Sequence, residues 1–76
     1  MLNKYAVVVA TKDLSTDVKL GCVGTIVMIY GNPSLAYEVE FFKTNGDTIA
    51  LLTVEPDDIK VLISSAQSVE YMKSLG

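Results

Sequence analysis

Glu38 and Glu40 stand two residues apart, and in an extended chain that spacing sets both carboxylates on one side. Two acids so placed are the starting material for a paired-carboxylate hydrolytic site or for a hard cation such as calcium. The alternating Tyr37, Val39 and Phe41 between and around them favour a simpler reading, in which the glutamates line the wet face of a half-buried strand. Asp57 and Asp58 follow Pro56, where turn and capping chemistry accounts for them. Cys22 would need a neighbouring base or cation to act as a nucleophile, and Lys19 is the nearest basic residue in sequence; burial as a small apolar side chain is the better account. Gly21-x-x-Gly24 lacks both the Lys-Ser/Thr ending and the following helix of a phosphate-binding loop, so it reads as backbone geometry. Histidine is absent, which removes the side chain best suited to proton transfer near neutral pH. No catalytic, cofactor-binding or metal-ligating residue is assigned, and the chain reads as non-enzymatic.

The elements that must position these residues belong to one small domain, because 76 residues supply apolar surface for a single core. Half the residues are apolar and 20% are charged, which favours a packed structure over disorder. Nine carboxylates outnumber six basic residues, all lysines (4, 12, 19, 43, 60 and 73), giving a net charge of −3. An acidic chain without arginine starts with the counterion-release contribution against it as a nucleic-acid binder. A single cysteine makes no internal disulfide, which fits a reducing cytoplasm. No apolar run approaches the roughly 20 residues of a membrane span, and the first ten residues lack a leader pattern, so the chain reads as soluble and unprocessed.

The β-branched run from Tyr5 to Thr11 predicts a first strand. A polar loop over 12–19 follows, with Asp13, Ser15, Thr16 and Asp17 suited to turns and Leu14, Val18 and Leu20 as anchors. Gly21 and Gly24 suggest a tight bend, or positive φ, ahead of a second strand from Thr25 to Tyr30. Gly31-Asn32-Pro33-Ser34 is a turn, and Tyr37 to Phe41 is the cleanest alternation in the chain. Asn45-Gly46 predicts a hairpin to a strand over Thr48 to Val54, whose lack of alternation suggests cover on both faces. Pro56 opens a turn or a single helical turn before a last strand from Ile59 to Ile63. Ala66, Val69, Met72 and Leu75 recur every three residues, and Ser64 stands three before Gln67, which predicts a C-terminal helix over 64–76.

Five short strands with these connections predict an all-β fold, a small SH3-like barrel over 1–63 with a helical extension over 64–76. Closure would also remove the exposed sheet edges that apolar strands otherwise present. A five-stranded oligonucleotide-binding barrel is the alternative, though it usually needs longer strands. The blocks Leu20 to Val27, Tyr37 to Phe41, and Asn45 to Thr48 with Ala50 and Thr53 resemble the bacterial domain-of-unknown-function family DUF4926. The likeness covers Val7 to Leu62 and departs at Tyr5, Met28 and the tail after Ser64. It implies an SH3-like barrel with an accessory or neutralising role beside a partner protein, and it implies no catalytic residue. The glycine-valine block alone is also similar to KOW-type nucleic-acid modules.

A domain of this size leaves apolar side chains on its surface, which favours protein binding. Met28, Tyr30 and Leu35 near the proline turn, Phe42 if it faces outward with Glu38 and Glu40, and Val69 and Met72 on the helical stripe are the candidate partner-binding residues. The expected function is a non-enzymatic protein-binding module, antitoxin-like or immunity-like, whose acidity suits a basic partner. The alternatives are a KOW-like nucleic-acid module and an accessory subunit of a larger enzyme, and a homodimer through the helix or a strand is a further expectation.

Overall fold

A computed structural model describes residues 2–63, so the expected helix over 64–76, with Val69 and Met72, lies outside the described residues. The chain forms β1 (Val7–Ala10), β2 (Val23–Tyr30), β3 (Ala36–Phe42), β4 (Thr48–Val54), a 3-10 turn (Pro56–Asp58) and β5 (Ile59–Ile63). All pairings are antiparallel and the sheet order is β4-β3-β2-β1-β5. Alternation builds the core: Val8 and Ala10, Ile26, then Tyr37, Val39 and Phe41 point to one face and are buried there with Val54 and Ile59. Register shifts beside Val7, between Ile26 and Met28, and beside Phe42 bend the strands so that this one face can enclose a core.

The sheet is not closed. β4 and β5 stand at opposite ends of the strand order and do not pair, so the expected barrel is an open, curled sheet with two edges. β1 is only four residues long and meets β2 over Val7 to Val9, and the ten buried apolar side chains come together without the outer strands having to join. β4 also differs from expectation. Its outer-face residues Thr48, Leu51 and Thr53 are exposed, Leu51 at 56%, while Ile49, Ala50 and Leu52 are half-buried.

The first strand starts later than its β-branched run suggests. Tyr5 has φ of 69°, a left-handed conformation that costs a non-glycine residue about 1–2 kcal/mol. Its N–H donates to the Ile26 carbonyl at 2.7 Å and the Ala6 N–H donates to the Asn3 carbonyl, a turn that buries Ala6 before the ladder begins. The loop between β1 and β2 is folded. Val18 is fully buried, the Leu14 N–H donates to its carbonyl, and its own N–H donates to Ser15 Oγ. Leu20, expected as an anchor, instead stands 68% exposed, its N–H held by Asp13 Oδ1 at 2.8 Å.

The two glycines of the expected bend do different jobs. Gly21 has φ of 90° and open space around it, whereas Gly24 lies inside β2, buried, where the paired strand β3 packs too closely for a side chain. The Asn45-Gly46 turn closes the β3–β4 hairpin as expected, with Gly46 at φ of 94° and the Lys43 N–H donating to the Asp47 carbonyl. The 3-10 turn is fastened by a capping box. The Glu55 N–H donates to Asp58 Oδ2 at 2.9 Å, and the same aspartate meets Lys12 Nζ at 3.3 Å.

Candidate functional site

The alternation that buries one face of the sheet sends a second set of side chains outward, and the register arranges them in rows. Met28, Glu38 and Thr53 form one row. Val7, Thr25, Glu40 and Leu51 form the next, and Val9, Val23, Phe42 and Thr48 the one after. Tyr30 lies opposite Ala36 beyond them. Five of the residues singled out in the sequence, Met28, Tyr30, Glu38, Glu40 and Phe42, therefore share the outer face. Met28 and Tyr30 are 47% and 43% exposed, and Phe42 keeps the alternation and sits half-buried between Val23 and Thr48. Leu35 does not belong with them, since it packs against the core.

The two glutamates are held by their neighbours. Thr53 Oγ1 donates to Glu38 Oε1, and Thr48 Oγ1 donates to Glu40 Oε2 at 2.7 Å, so both carboxylates lean toward β4. Each is thus one partner in a cross-strand hydrogen bond. Among the described residues no group of three His, Cys, Asp or Glu side chains is placed to hold a metal ion. Asp57 and Asp58 serve the turn, as their position after Pro56 suggests.

Where the long loop meets the β3–β4 hairpin, a groove of about 350 Å³ is lined by Leu20, Cys22, Val23, Phe42 and Ile49, with Lys43 at its rim. It continues the Val23–Phe42 row. The Cys22 thiol lies near the Phe42 carbonyl at 3.7 Å and is partly buried. Burial pushes its pKa up from the ordinary 9.0, with the Val23 backbone opposing, which works against thiolate formation. Lys19, the nearest basic residue in sequence, pairs with Asp13 instead.

Sequence reasoning missed Tyr5, Leu20, Val23, Leu51, Val61 and Leu62 as surface residues. Their exposure follows from strand order and a positive-φ turn, neither of which a local apolar pattern encodes. Among the described residues no helix is long and apolar enough to cross a membrane.

Together these features define a small all-β domain whose outer face mixes exposed apolar side chains with two tethered glutamates. The chain belongs to the family described as Domain of unknown function (DUF4926), whose model matches residues 4–61. No curated protein and no solved structure matches it.

Proposed function

We propose that this chain is a protein-binding module that works in the cytoplasm by occupying a partner through the outer face of its sheet. The observation that carries the reading is that Met28, Tyr30, Val23 and Leu51, four of the eight large apolar side chains exposed among the described residues, share one side of the sheet. Methionine and tyrosine supply adaptable apolar contact that interfaces favour. Glu38 and Glu40 beside them, with a net charge of −3, suit a basic partner of the kind an antitoxin-like or immunity-like neutraliser restrains. Nucleic acid is the weaker partner, since Lys12 and Lys19 already face carboxylates of the same chain.

The test is purification of the tagged chain from its native host at ordinary expression, beside a Met28→Glu/Tyr30→Glu variant. The expected result is a stoichiometric complex with a basic protein that the double variant loses while its circular dichroism is unchanged. A chain that emerges alone and monomeric at micromolar concentration, or a variant that keeps its partner, would refute the proposal.

A further inference from the structure

We propose that the outer edge of β4, unpaired among the described residues, is a strand-addition site for an extended partner segment that is apolar at its centre and carries lysine or arginine on either side. The inference rests on the reading of the chain as a protein-binding module and names the chemistry of what it binds. Edge strands in soluble proteins are normally blunted by charge, proline or a bulge that twists them away. β4 runs Thr-Ile-Ala-Leu-Leu-Thr-Val over Thr48–Val54, seven residues without a charge, proline or glycine, and it pairs only with β3 among the described residues; its one irregularity is the register shift that leaves Ile49 unpaired, and Ala50 to Val54 run in regular register beyond it. A strand added there would gain main-chain hydrogen bonds and would cover Leu51, the centre of the strand and 56% exposed.

Charge decides the occupant. Asp47 precedes β4 and Glu55 follows it, so acids stand at both ends of the uncharged strand. Thr48 and Thr53 draw the Glu40 and Glu38 carboxylates toward the same edge, on either side of Leu51. An added strand lies two inter-strand spacings, about 9.6 Å, from β3, a span that lysine or arginine side chains leaning back across β4 cover, so basic residues flanking the apolar one that covers Leu51 meet the carboxylates drawn to this edge. A second copy of the chain fits less well. Antiparallel pairing about Leu51 would set Asp47 of one copy against Glu55 of the other, a like-charge contact at both ends.

The test uses the full chain and the capped peptide Thr-Lys-Val-Ile-Val-Lys-Thr, followed by amide shifts and hydrogen exchange. The expected result is slowed exchange at residues 48–54 on titration, with affinity lowered about tenfold, roughly 1.4 kcal/mol, by Glu38→Gln/Glu40→Gln. A peptide with glutamate in place of both lysines should not bind. Equal binding by that peptide, shifts confined to other strands, or edge amides of β4 already protected before peptide is added, by a second copy or by residues 64–76, would each overturn the inference. The two readings part on different measurements. If the native complex forms and Met28→Glu/Tyr30→Glu loses it, but the peptide leaves exchange at 48–54 unchanged, the edge site falls and the binding module stands; if no native partner exists, the module falls and the peptide titration alone decides the edge.

Discussion

Gly24→Ala asks whether close strand packing, and not a turn, fixes this glycine. A methyl carbon built there would lie 2.7 Å from Val39 Cγ1, 2.8 Å from the Glu40 carbonyl oxygen and 2.9 Å from Phe41 Cδ1. Val39 and Phe41 are themselves fully buried, so neither side chain has room to retreat, and the carbonyl belongs to the paired backbone of β3. Overpacking of a filled core costs about 1–3 kcal/mol, and a clash that includes main chain belongs near the upper end. A domain of this length has a total stability of about 4–11 kcal/mol, so the loss is a large fraction of it. At about 4–8 °C per kcal/mol, the melting temperature should fall by roughly 10–20 °C.

The comparison is Gly21→Ala, where φ is 90° but nothing lies within 4 Å of the added carbon. Its cost is conformational only, about 1–2 kcal/mol. Urea and thermal unfolding followed by circular dichroism would measure both. Gly24→Ala within about 0.5 kcal/mol of the parent, or milder than Gly21→Ala, would refute the close-packing argument, since ordinary surface changes fall in that range.

Tyr37→Phe should cost about 0.5–1.5 kcal/mol, because the buried phenol oxygen accepts the Leu2 N–H at 3.1 Å; chemical denaturation would show it, and faster exchange at the Leu2 amide would locate it. Asp58→Ala should cost about 1 kcal/mol through the lost capping box, whereas Lys12→Ala, which removes only an exposed ion pair, should change stability by less than about 1 kcal/mol; equal losses in urea melts would contradict this division. Alkylation of Cys22 should be slower at neutral pH than in the unfolded chain, with its rate rising only at pH above the ordinary thiol range. Because folding raises this pKa, the stability linked to it is complete below the unfolded value of 9.0 and declines as pH climbs through the folded one, and reaction at pH 7 as fast as in urea would sink the assignment.

Local rules read most of the strands. β4 and β5 have the limits that composition gives, and Tyr37, Val39 and Phe41 are buried as their period-two spacing requires. The Asn45-Gly46 hairpin and the Pro56 turn follow from dihedral preferences that act over a few residues. What escaped reading depends on contacts between distant residues. Gly24 looks like a bend in isolation and is a point of strand contact only because Val39 and Phe41 pack against it. Barrel closure is expected from the number of strands and their connections, and cover of both β4 faces from its lack of alternation, yet whether β4 and β5 meet depends on strand order, which no short segment specifies. The same holds for the candidate site. Glu38, Glu40 and Phe42 could be placed on one face from their spacing, but the company of Leu51 and the threonine tethers required the register of β4.

The stretch from Thr11 to Cys22 is the longest connection among the described strands, and it is the worst place to attach anything. With Val18 fully enclosed and Ser15 and Asp13 bonded back onto their own turn, an epitope tag or fluorophore inserted there would lift a plug out of the interior. The short Gly31–Ser34 turn has every residue exposed, so it is the sensible site for a label.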